Sequence, residues 1–182
     1  MQNKVAKSTK HKYLMKKKWL ILILLTFLLK SAFAQDDNFK ALFIYNVTNF
    51  IEWPAVDGNF VIHVLGESSV VNIFKTDVKL RDKKVTGKPI VIEKIPGVKS
   101  IGNCQILYIP QEQGAQIDTV VKIIGKKPTL IVTSTDNAIT KGASINFFKK
   151  GGKLTMQISR KNIESHGLKV DSKLLYLGEE VN

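Results

Sequence analysis

A single cysteine, Cys104, serves all 182 residues, so an intramolecular disulfide is excluded and the fold must hold without a covalent staple. Histidine is scarce too. Of three in the chain, only His63 and His166 follow residue 34, and neither has a Cys, His or acidic neighbour at metal-ligand spacing. The sequence has no Gly-x-Ser-x-Gly elbow for a nucleophile. Lys149-Lys150-Gly151-Gly152-Lys153 superficially resembles a phosphate loop, but no hydroxyl residue follows its last lysine and strand patterns flank it on both sides. No catalytic carboxylate pair stands out, since Glu52, Glu67, Glu93, Glu112 and Asp136 lie in separate segments. No repeat and no low-complexity linker divides the chain. These absences leave a domain with no expected cofactor, metal site or enzymatic activity.

Acidic residues are missing altogether from residues 1–34, which hold eight lysines. Lys4 to Lys18 form a charged n-region, Trp19 to Leu29 an apolar h-region, and Ser31-Ala32-Phe33-Ala34 presents small residues where signal peptidase cuts. The apolar run is shorter than the roughly 20 residues a membrane-spanning helix needs. Residues 1–34 therefore read as an export signal and residues 35–182 as one exported domain. With the signal removed, the formal charge of +13 over 28 basic and 15 acidic residues becomes 20 basic against 15 acidic. The nucleic-acid class suggested by the uncut chain then loses its support. Cys104, within an apolar run, reads as a buried small hydrophobe or as one half of an intermolecular bridge.

Periodicity gives the elements. Phe39, Leu42, Phe43, Asn46, Val47 and Phe50 recur at helical spacing behind the capping residues Asp36 to Asn38, with Trp53-Pro54 as the stop. Phe60–Leu65, Ile90–Ile95, Cys104–Ile109 and Thr129–Thr133 read as buried strands, alternating with helices over Val70–Leu80 and Gln116–Ile124. Two strands, Ser144–Lys149 and Lys153–Ile158, flank Gly151-Gly152 as a hairpin. A short helix follows over Arg160–Ser165, and Lys173–Leu177 forms an apolar segment of open type. The fold class is α/β: a three-layer-like domain with a mixed, mostly parallel central sheet, helices on both faces and a C-terminal antiparallel hairpin. Ala41, Ile44 and Tyr45 widen the first helix's apolar stripe beyond one buried face. Either that helix is covered on two sides, or Ala41, Ile44, Tyr45, Trp53 and Pro54 meet a partner.

Several stretches, in order, resemble the YfiR domain family, formerly a domain of unknown function. They are Lys40-Ala41-Leu42-Phe43-Ile44-Tyr45-Asn46 with Trp53-Pro54, Gly87-Lys88-Pro89-Ile90, Cys104-Gln105-Ile106-Leu107-Tyr108-Ile109, Ile145-Asn146-Phe147-Phe148, Gly152-Lys153-Leu154 and Gly167-Leu168-Lys169-Val170-Asp171-Ser172-Lys173-Leu174-Leu175. The resemblance implies a periplasmic, non-enzymatic α/β regulator and a homodimer. It also implies binding to the periplasmic part of a membrane diguanylate cyclase or related sensor, with an outer-membrane lipoprotein as a second partner. Cyclic-di-GMP output and biofilm formation would be the regulated quantities. The namesake branch has several cysteines that can pair, whereas this chain has Cys104 alone, so redox control through an internal bridge does not carry over.

A different class stays open beside it: a small-molecule binding module with its site at the carboxyl ends of the parallel strands. The loops after Leu65, Ile109 and Thr133 would line that site, with hydroxyls from Ser68, Ser69, Thr133, Ser134 and Thr135. The export signal carries its own test. N-terminal sequencing of the exported protein should begin at Gln35, and a protein that retains Met1 would contradict the assignment.

Overall fold

The computed structural model describes residues 35–181; the export signal expected over residues 1–34 lies outside them. Strands β2 (Phe60–Leu65), β5 (Ile106–Ile109) and β6 (Leu130–Thr133) are runs of branched and aromatic residues buried almost throughout. Such runs suit the centre of a parallel sheet, where both faces must be covered. They pair in parallel, Ile62 opposite Ile106 and Ile106 opposite Leu130. On one side β4 (Lys88–Ile95) adds in parallel, followed by the two-residue β3 (Lys84–Val85) in antiparallel. On the other come β7 (Ile145–Lys150), parallel to β6, then β8 (Lys153–Ile158), antiparallel to β7, and β10 (Glu179–Glu180). The eight-stranded order is β10-β8-β7-β6-β5-β2-β4-β3. The expected mixed, mostly parallel sheet and its C-terminal hairpin are both present. The hairpin turns at Gly151 and Gly152, whose φ angles of 57° and 78° lie in the left-handed region that favours glycine.

Alternation along each strand sorts the core into two layers. Ile62, Val64, Ile106, Tyr108, Leu130 and Val132 face one layer. There they meet helix α1 (residues 35–46) through Ala41, Ile44 and nearby Val47, α2 (Ser69–Thr76) through Val70 and Phe74, α4 (Arg160–Ser165) through Ile163, and α5 (Ser172–Leu175) through Leu174. Leu65, Leu107, Ile109 and Ile131 face the other layer and meet α3 (Ile117–Ile124) through Ile117, Val120 and Ile124. Side chains fix the helix starts: Ser68 accepts from Val70 N, Ser159 from Asn162 N, and Asp171 from Lys173 N.

Several expectations are corrected. The first helix does not run on to Trp53; it gives way after residue 46 to a 3-10 turn, Val47–Phe50, where the Thr48 hydroxyl donates to the Tyr45 carbonyl at 2.7 Å. Helix α2 stops at Thr76 rather than Leu80, because Asp77 leaves the helical region and its side chain accepts from Lys79 N. The short strands β1 (Ile51–Glu52) and β9 (Lys169–Val170) pair antiparallel as a separate two-stranded sheet, Glu52 and Lys169 closing it with an ion pair of 2.9 Å.

Ala41 and Ile44 have no exposed surface. Ile44→Ala should therefore lower the unfolding free energy by about 2–5 kcal/mol, read from the urea midpoint, and a loss below ~0.5 kcal/mol would contradict this core position.

Candidate functional site

Helix α1 is clasped from more than one direction, which decides the question its wide stripe raised. The Phe43 ring meets Phe147 of β7 edge-on at 5.5 Å, and Ala41, Ile44 and Val47 are fully buried. As partner-facing residues, Ala41 and Ile44 are thus corrected: they close on the sheet of their own domain. Tyr45 is half-buried, its ring centroid 5.6 Å from the Lys83 ammonium in the segment that precedes β3. Trp53 is also half-buried. Its ring stands edge-on to Phe60 at 5.0 Å, and its indole Nε1 donates to the Thr48 carbonyl at 3.0 Å. Pro54 is exposed in the irregular connection to β2.

The turn Val47–Phe50 organises this side of the molecule. It holds the Trp53 indole, its Phe50 carbonyl accepts from Asp171 N at 2.8 Å, and α5 packs against it. Just beyond α5, Tyr176 is 87% and Leu177 49% exposed, high values for large apolar side chains. Sequence reasoning missed these two as surface residues. The apolar segment Lys173–Leu177 was the available signal, but its period is too short to show which members point inward. Phe39 is 41% exposed and stacks on Phe43 at 6.4 Å.

The carboxyl ends of the central strands are tied together from within. The Tyr108 and Ser134 hydroxyls lie 3.0 Å apart, Thr133 Oγ1 donates to Thr135 Oγ1 at 2.9 Å, and Asn146 Oδ1 accepts from Thr135 N at 3.0 Å. Gly114 sits so close that a Cβ there would lie 2.4 Å from the Thr135 methyl. Ser68, another hydroxyl of the ligand-site reading, serves as the cap of α2. The hydroxyls expected to face a small ligand are therefore engaged with the protein itself. A groove of about 320 Å³ lies elsewhere, lined by Phe74, Lys75, Leu80, Arg81 and Ile90–Ile92.

Titratable groups are sparse in the core. His63 Nε2 lies 3.4 Å from Glu93 Oε2 on the paired strand, and His63 Nδ1 is buried without a hydrogen-bond partner among the described residues. Burial pulls the His63 pKa below its ordinary 6.5, and the Glu93 carboxylate opposes that pull. His166 Nδ1 donates to the Gly125 carbonyl at 2.7 Å. Cys104 is buried, and the loss of solvent pushes its thiol up to about 12 despite the Thr129 hydroxyl beside it. Among the described residues no three His, Cys, Asp or Glu side chains gather as a metal site, and no helix is long and apolar enough to cross a membrane.

Taken together, fold and surface define an α/β domain that carries apolar-aromatic and basic side chains at its surface. A family model described as YfiR/HmsC-like matches residues 37–179, and the chain belongs to that family. Among curated proteins none matches the chain. The family is regulatory: its members are periplasmic regulators of diguanylate cyclases that act with the periplasmic domain of a membrane sensor.

Because unfolded chain binds the His63 proton more tightly than folded chain does, stability should fall as the pH drops through 6.5 and level off below the folded value. Glu93→Gln removes the opposing charge and should steepen that loss, while His63→Gln should flatten it. Urea midpoints above and below pH 6.5 read the effect, and identical slopes in all three proteins would contradict it. Cys104 should likewise resist thiol reagents in the folded protein and react once urea unfolds it.

Proposed function

We propose that this chain is a non-enzymatic periplasmic regulator that works by protein-protein binding, restraining a membrane diguanylate cyclase or related envelope sensor through the sensor's periplasmic part. The observation that carries the reading is the family match across 37–179. The surface supports it. Tyr45, Trp53, Pro54, Tyr176 and Leu177 offer large rings and apolar edges outside the core, and Trp and Tyr are the residues that most often dominate binding energy at protein interfaces. The Val47–Phe50 turn fixes Trp53 in place before any partner arrives, which lowers the ordering cost of association.

In this reading the leader is cleaved after Ala34, the domain works as a homodimer, and an outer-membrane lipoprotein competes for it. Small-molecule sensing is the less supported alternative, since the hydroxyls at the strand ends are engaged within the fold.

Loss of the gene should raise cellular cyclic-di-GMP, and the wild-type gene should restore it. A Tyr45→Glu, Tyr176→Glu double variant should fold normally by circular dichroism yet fail to restore the level. Cyclic-di-GMP that does not respond to deletion would sink the cyclase circuit, and full complementation by the double variant would remove these residues from the interface.

A further inference from the structure

We infer that the outer edge of β4, with the groove beside it, is a docking site for an extended protein segment of apolar and acidic residues. The inference rests on the protein-binding reading above and assigns that reading a second, separate surface. Three observations carry it.

The first is an unfinished hydrogen-bond ladder. Strand β4 pairs with β2 along Ile90–Ile95, but β3 covers its other side only at Lys88 and Pro89. The Ile95 carbonyl accepts from Gly66 N at 2.8 Å, whereas Ile90 N donates outward to the Lys83 carbonyl at 3.4 Å. Odd-numbered residues of β4 thus turn their backbone groups to β2 and even-numbered ones away from it. The N–H and C=O of Ile92 and Lys94 face outward, and no described residue pairs with them. An open edge of this kind is a template for an added strand.

The second is the groove. Beyond β3 the chain swings away through Leu80 and Arg81 to α2, leaving about 320 Å³ between Phe74, Lys75, Leu80 and Arg81 on one side and Ile90–Ile92 on the other. Its apolar side chains, Phe74, Leu80 and Ile90–Ile92, lead to the unpartnered backbone at Ile92. A lipid or small anion would find no use for that backbone; a peptide completes it.

The third is charge. Residues 75–94 carry seven basic side chains and three acidic ones. Two of the three acids are already engaged, Asp82 with Arg81 and Glu93 with His63, while Lys94 pairs with Glu67. Lys75, Lys79, Lys84 and Lys88 have no anionic partner among the described residues. The rim is therefore cationic, which disfavours a second copy of the same edge and favours carboxylates.

The test is amide exchange of the isotope-labelled protein followed by NMR. The probe is a blocked octapeptide alternating valine with glutamate, and a valine-lysine octapeptide is the charge control. Exchange at Ile92 and Lys94 should slow about tenfold with the glutamate peptide and stay unchanged with the lysine peptide. Lys94→Pro, which removes an outward N–H together with the Lys94–Glu67 ion pair, and Lys75→Glu with Arg81→Glu should each weaken the effect at Ile92 about tenfold. Lys94→Ala, which loses the ion pair alone, should keep it. Should Lys94→Pro fail to fold, the charge-reversed variant decides.

Unchanged exchange, equal response to both peptides, or protection of the same amides by phosphatidylglycerol vesicles that displace the peptide would overturn the proposal. So would capture of a membrane sensor's periplasmic part by Lys94→Pro at wild-type strength, an outcome that leaves the protein-binding reading standing.

Discussion

Parallel pairing of β2, β5 and β6 is the constraint from which the rest of the molecule follows. Side chains of Phe60–Leu65, Ile106–Ile109 and Leu130–Thr133 are buried on both faces, and an apolar sheet of that kind is stable only between two layers. Helices α1, α2, α4 and α5 close one face, and α3 closes the other. Little of the central sheet is left for a ligand, and even its polar ends are joined by Tyr108, Ser134, Thr133, Thr135 and Asn146. In the proposed reading, recognition falls to the periphery, at the turn around Val47–Phe50 and the unpaired side of β4.

The single cysteine follows the same logic. Its position against β2 and below Thr129 makes Cys104 a packing residue with a thiol pushed up to about 12. The same layer holds His63, which is paid for in part by Glu93. Both groups would be natural places for a redox or metal function had they been exposed. Burial in an α/β core turns them into structural side chains instead.

Elements with a full period were legible in the sequence. Phe60–Leu65, Lys153–Ile158 and Arg160–Ser165 run as the pattern indicates, because six residues are enough to show alternation or a helical face with a cap. Strands β1, β3, β9 and β10 were not legible, since two residues carry no period and their pairing is decided by distant chain, as for Ile51 with Val170. The candidate surface was legible only in part. The width of the α1 stripe was real, but periodicity could not say that Phe147 and the sheet would absorb Phe43, Ala41 and Ile44 while Tyr45 stayed near the surface with Lys83. Tyr176 was hidden for a similar reason: its exposure follows from the one-turn length of α5, which only the caps at Asp171 and Tyr176 define.

The account's central claim is that this domain acts by binding a protein partner at its periphery while the sheet centre stays fixed. Hydrogen-deuterium exchange of the protein, alone and mixed with the periplasmic part of the proposed membrane sensor, addresses that claim most directly. The account expects added protection at residues 45–54 and 90–94 and no change in Ile106–Ile109 or Leu130–Thr133. Protection confined to the central strands or their carboxyl ends would contradict it.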